Sequence, residues 1–126
     1  MKMGLAGSGV KGEWHVEIDE LIDLGLYGIT IGNREFKLQS FEPATSQIHK
    51  LLRFLKARRQ DEGFDFCKAF GGEVGFLHHD GAAFIRIVQR GERGPNVMEI
   101  AVDHSECGDL CAALEEGIHE AALPEG

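Results

Sequence analysis

Apolar and polar positions alternate with period two in some stretches of this chain and recur with helical spacing in others. That contrast orders the predicted elements. Tyr27, Ile29 and Ile31 alternate with small or polar residues, and Phe36 and Leu38 resume the alternation after Gly32-Asn33. Taken as a two-residue hairpin loop, Gly32-Asn33 sets Ile31 opposite Arg34, Ile29 opposite Phe36 and Tyr27 opposite Leu38. This pairing collects the apolar residues on one face and leaves Thr30, Glu35, Lys37 and Gln39 on the other. A slip of one residue would destroy that segregation. Upstream, Trp14, Val16 and Ile18 alternate as a strand does, while the same stretch read on through Leu21 and Ile22 to Gly25 also fits a short helix. The pattern leaves 13–25 open between the two.

Past Pro43 the period changes. Ile48, Leu51, Leu52 and Leu55 form one helical stripe, Thr45 or Ser46 is the expected cap, and Asp61-Glu62-Gly63 is the expected stop of a helix of about 15 residues. Residues 64–102 read as a four-stranded meander over 64–70, 73–79, 82–90 and 97–102. Turns are expected at Gly71-Gly72 and Asp80-Gly81, and a loop through 91–96. A last helix begins near Asp103 or Ser105, where Asp103-x-x-Glu106 fits a capping box. Its stripe is Cys107, Leu110, Cys111, Leu114, Ile118 and Ala121, weakened slightly by Gly108 and Gly117.

The expected fold is α+β: a mostly antiparallel sheet (β-hairpin, helix, four-stranded meander, C-terminal helix) with two helices packed on one face. Residues 13–126 are expected to form a single domain after a flexible, Gly-rich segment at 1–12.

The meander's registers have a consequence for its two faces. They put Cys67, Ala69, Val74, Phe76, Ile85 and Ile87 on one, and Phe64, Phe66, Leu77 and Phe84 on the other, beside Lys68 and Arg86. Two amphipathic helices can cover only one face. Burying a large apolar side chain is worth about 1.5–3 kcal/mol, so the second set is expected to need a cover of its own. Phe64, Phe66, Leu77 and Phe84 are therefore the expected interface of a homo-oligomer, a dimer in the simplest case. Alternatively the face holds a ligand pocket in which Lys68, Arg86 and His79 supply polar contacts and Phe66 and Phe84 the apolar walls.

Charge narrows the class of partner. The chain carries a formal net charge of −8, which disfavours nucleic acid or an anionic membrane surface as partner and suits a basic protein. Its distribution is uneven: 13–23 holds only acidic charges, no Lys or Arg follows Arg93, and His49, Lys50, Arg53, Lys56, Arg58 and Arg59 cluster on the first helix. A solvated face, or pairing with the acidic last helix, accounts for that cluster, which lacks interleaved aromatics for stacking bases. No run is apolar enough to cross a bilayer and no secretory signal core is present, so the expected compartment is the cytoplasm. Three sparse cysteines fit a reducing setting better than a disulfide framework.

Several motifs touch on chemistry, and each has a plainer reading. Gly7-Ser8-Gly9-Val10-Lys11-Gly12 matches G-x-G-x-x-G but has no room for the preceding strand that a dinucleotide site requires. His104, Cys107 and Cys111 could converge at the start of the last helix, with Cys67 as a distant fourth metal ligand, yet both helical cysteines belong to the apolar stripe. Cys107 beside His104 could act as a nucleophilic pair, without a third orienting residue. His78 and Asp80 give an H-x-D element, but Asp80-Gly81 is already accounted for as a turn. Glu115-Glu116 reads as solvation, and no hydrolase signature occurs. No cofactor, metal site or catalytic residue is assigned. The expected function is that of a small acidic, non-enzymatic protein-interaction module of the immunity, inhibitor or antitoxin kind, self-associating through the apolar face of its sheet. The alternative is a small-ligand-binding domain or simple enzyme with a pocket on that face.

Overall fold

The computed structural model describes residues 14–21 and 26–125, so the Gly-rich 1–12 segment and its G-x-G-x-x-G run lie outside the described residues. In chain order the elements are β1 (His15–Leu21), β2 (Leu26–Gly32), β3 (Lys37–Ser40), α1 (Thr45–Ala57), β4 (Gly63–Ala69), β5 (Gly72–His79), β6 (Ala82–Gly91), β7 (Gly94–Val102) and α2 (His104–Glu120). The fold is α+β with two antiparallel sheets, ordered β1-β2-β3 and β4-β5-β6-β7. β3 meets β4 through a hydrogen bond from the Ser40 hydroxyl to the Lys68 carbonyl, 2.9 Å. One buried cluster draws on both sheets and both helices.

In the first sheet, His15–Leu21 is a strand paired along its length with β2, which decides the open reading for 15–21, while 13 and 22–25 lie outside the described residues. The β2–β3 hairpin differs from its expected register: Ile31 faces Leu38 and Gly32 faces Lys37. A four-residue loop, 33–36, replaces the two-residue one. Asn33 causes the difference, because its side-chain oxygen accepts from the backbone N–H groups of Glu35 and Phe36, both at 2.9 Å. Such an Asx turn closes a longer loop than Gly32-Asn33 would alone. The shift is an even number of residues, so the faces survive it. Ile29, Ile31 and Leu38 are fully buried together.

In the second sheet the Asp80-Gly81 hairpin forms as expected, with φ of 51° and 77° at the two turn residues. His79 faces Ala82, Leu77 faces Phe84 and Gly75 faces Arg86. The β4–β5 turn lies one residue early, at Phe70-Gly71, with Ala69 opposite Gly72. A bulge between Asp65 and Cys67 then leaves Phe66 without a partner and sets Phe64 opposite Phe76.

The bulge corrects the expected division of faces. Phe66 is 3% exposed in the core and meets Phe76 edge-on at 5.8 Å. Phe64 turns toward α1 and stacks on Phe54 at 5.6 Å. Neither ring lies on the open face. What remains there is Leu77 and Phe84, half-buried and opposite each other, with Val88 opposite Val97 toward β7. The sheet's need for an outside cover is correspondingly smaller than the sequence pattern implies. β6 and β7 also run further than expected, reaching a two-residue turn at Glu92-Arg93 instead of a six-residue loop.

Both helices bury the predicted stripes: Ile48, Leu51 and Leu55 in α1, and Cys107, Leu110, Cys111 and Leu114 in α2. The α1 cap position is Ala44, with no side-chain hydrogen bond, and Thr45 is already helical, so the expected hydroxyl cap does not form. α1 ends where Arg58 turns left-handed, φ 50°. α2 is capped as expected, Asp103 accepting from the Glu106 N–H at 2.9 Å. Gly117 has a packing role besides its helix-weakening one. A Cβ there would lie 3.2 Å from Val16 Cγ1, so its absence lets β1 approach α2 closely.

Candidate functional site

The residues expected to line one open-face pocket are dispersed. Lys68 faces Glu73, not Gly75 as the simple register implied, and borders an open groove of about 880 Å³ at the far end of the sheet. The groove runs over Gly71, Gly72 and Val88 to Arg90 and Pro95. Gly72 is needed for its floor, since a Cβ there would fall 2.0 Å from the Val88 carbonyl oxygen. Arg86 shares the open face but is held by Glu99, with N···O distances of 2.6 and 2.8 Å. Phe84 lies one step further along β6. His79 sits at the opposite end of β5, six residues from Glu73 and so roughly 20 Å away along the strand. It pairs with Asp61 at 2.7 Å and with Asp80 at 3.3 Å. The hydrogen bond to Asp61, then the Asp80 charge, raise the His79 pKa. Phe66 is buried behind the sheet. Lys68 alone of the five reaches the groove, and Arg90 joins it there as a second cation.

The cysteine and histidine motifs also separate. His78 is buried, 2% exposed, with Nε2 3.0 Å from the Phe54 carbonyl oxygen, while His79 and Asp80 are exposed. His78 and Asp80 therefore do not form the shared-direction pair that H-x-D suggested. His104 is exposed, with its ring nitrogens 2.7 and 2.9 Å from Arg58 Nη1. Cys107 and Cys111 are buried one helical turn apart, and Cys67 lies on β4 near Ser40. All three cysteines are free. The neighbouring Cys111 thiol lowers the Cys107 pKa against the opposing effect of burial, with Arg58 assisting, while Cys111 is itself pushed up. The Cys107 thiol points at the Leu55 carbonyl oxygen, 3.9 Å away. Among the described residues no group of three or more His, Cys, Asp or Glu side chains could hold a metal ion. No helix among them is long and apolar enough to cross a membrane.

A second cleft, of about 320 Å³, lies where β1 packs on α2. Its lining comprises Trp14, Val16, Ala113 and Gly117 together with His15, Glu17, Glu116 and Glu120. Trp14 is 4% exposed and anchors the start of β1 by donating its indole N–H to Glu106, 3.3 Å. Burial raises the Glu106 pKa, and the indole N–H works against that rise. Asp19 and Glu20 on β1 and Glu115 on α2 are exposed nearby in sequence. Lys56 on α1 pairs with Glu115 on α2 at 2.8 Å, an exposed pair worth about 0–1 kcal/mol.

Sequence reasoning registered the acidic run at 13–23 and the acid-rich end of the chain but did not join them. The missing step was the strand assignment of 15–21. Alternation in β1 turns Glu17 and Asp19 outward, and helical spacing brings Glu116 and Glu120 into one line on α2. No protein-family model matches the chain, and no curated protein or solved structure matches it either.

Proposed function

We propose that this chain is a small acidic, non-enzymatic protein-interaction module that docks a basic segment of a partner protein, in the manner of an immunity protein, inhibitor or antitoxin. The observation that carries the reading is the β1–α2 cleft, whose lining includes Glu17, Glu116 and Glu120 beside Val16, Ala113 and His15. A Lys or Arg side chain fits such a site by laying its methylenes on the half-buried Val16 and Ala113 and its charge near Glu116 and Glu120. The net charge of −8 adds long-range attraction that speeds the encounter and weakens with salt. Self-association through the second sheet belongs to the same reading, and a reducing cytoplasmic setting suits its free thiols.

A nona-arginine peptide titrated into the labelled protein tests the docking site. The reading expects amide shifts concentrated on His15–Leu21 and on α2 around Gly117, diminishing as salt is raised. Shifts spread evenly over exposed Glu35, Glu62 and Glu92 would contradict it.

The 880 Å³ groove favours a second reading, a site for a small anionic ligand held by Lys68 and Arg90. A thermal shift from a panel of anionic metabolites, lost in Lys68→Ala and Arg90→Ala, would support that reading.

A further inference from the structure

The outer edge of β7 is long and, among the described residues, unpaired by any strand. β7 is an edge strand of nine residues paired to β6 without a bulge. Native edges are usually blunted by lysines, prolines, inward charges, bulges or brevity. Apart from Pro95 near its start β7 has none of these, and its single charged residue, Glu99, is paired with Arg86. Val97 and Met98 are 56% and 55% exposed.

The turn reveals which backbone groups face outward. Gly91 and Gly94 close a two-residue hairpin and form a hydrogen-bonded pair, so hydrogen bonding to β6 alternates from there. Pro95, Val97, Glu99 and Ala101 therefore turn their backbone groups away from β6. Pro95, which has no N–H, falls where none is required by β6.

We infer that a second copy of this chain pairs antiparallel along β7, joining two four-stranded sheets into one of eight strands. The proposal rests on the self-association part of the reading above and specifies its geometry. Met98 is the midpoint of Gly94–Val102, so a two-fold axis at Met98 pairs all nine residues with their counterparts. Val97 then faces Glu99, Asn96 faces Ile100 and Pro95 faces Ala101 of the second copy. One residue past the strand ends, the same register brings Arg93 toward Asp103, twice. Centring on Glu99 would oppose two like charges. Centring on Val97 would set Arg93 against Ala101. Centring on Asn96 would shorten the ladder and offer Arg93 a Glu99 already held by Arg86. Charge complementarity and overlap select the Met98 register.

Sedimentation velocity across a concentration series, with mild oxidation of a Met98→Cys variant, tests the proposal. The expected results are a concentration-dependent dimer, loss of dimer in Met98→Lys and in Arg93→Glu, and a covalent dimer of Met98→Cys that the wild type, with its three native cysteines, does not form. A monomer at all concentrations overturns both the proposal and the self-association it rests on. A dimer that survives Met98→Lys but dissociates in Phe84→Lys overturns edge pairing and leaves association through the open face standing.

Discussion

His78 Nε2 lies 3.0 Å from the carbonyl oxygen of Phe54, and the two rings stack with centroids 4.7 Å apart. The contact fastens β5 to the last turn of α1. Further bonds reinforce it: the His78 N–H donates to Glu62 O at 3.0 Å, and the Asp61 N–H donates to His78 O at 2.6 Å. Replacing the imidazole with an apolar group leaves a carbonyl oxygen without its donor in a site closed to water, which costs about 1–3 kcal/mol. His78→Leu should lower the unfolding free energy by that amount, read as a fall in the urea midpoint at constant slope. An unchanged midpoint would mean that the carbonyl finds another donor.

The β4 bulge makes a separate prediction. With Phe66 in the core, Phe66→Ala should cost about 3–5 kcal/mol. Phe84→Ala, at a half-buried open-face position, should cost about 1–2 kcal/mol. Equal losses in chemical denaturation, measured at low protein concentration, would argue for the simple alternating strand.

His79 titrates in a predictable direction. Its pKa is raised, first by the hydrogen bond to Asp61 and then by the Asp80 charge. A raised histidine value means the stabilising pair is fully present below the unfolded value of about 6.5 and is lost as pH rises through the folded value. The His79 ring resonances should therefore titrate above the ordinary histidine value, and Asp61→Asn should bring them back down.

Asp103 behaves in the opposite sense. The Glu106 N–H holds its carboxyl below the usual carboxylate value. The cap's contribution is present above the unfolded value of about 3.9 and fades as pH falls through the lower folded one. Asp103→Ala should cost about 0.5–2 kcal/mol near neutrality and Asp103→Asn clearly less, since asparagine also caps. Equal losses for the two variants in thermal unfolding would show that the side chain does not cap α2.

What the sequence made legible is the set of local signals with one physical solution. Asp80-Gly81 needs two positive φ values in succession, and it correctly set the whole β5–β6 register. The leucine stripe of α1 and the Asp103 cap were legible for similar reasons. Phe66 was not, because a bulge leaves Phe64, Phe66 and Lys68 alternating perfectly in the sequence. The reason for the bulge is tertiary, a ring-on-ring contact with Phe76. Asn33 was a signal misread, since the residue was placed inside a two-residue turn when its side chain opens a longer one. The carboxylate cleft depends on β1 packing against Gly117, a contact between residues about a hundred positions apart that no local pattern announces.

The most direct measurement places a photo-crosslinking amino acid at Glu116, and in parallel at Arg53 on α1, in cells that make the protein, and identifies the adducts by mass spectrometry. The account predicts a discrete adduct with a basic protein from Glu116, weakened severalfold when Glu17→Lys and Glu120→Lys are added, and no such adduct from Arg53. Identical adducts from both positions, or none from Glu116, would contradict it.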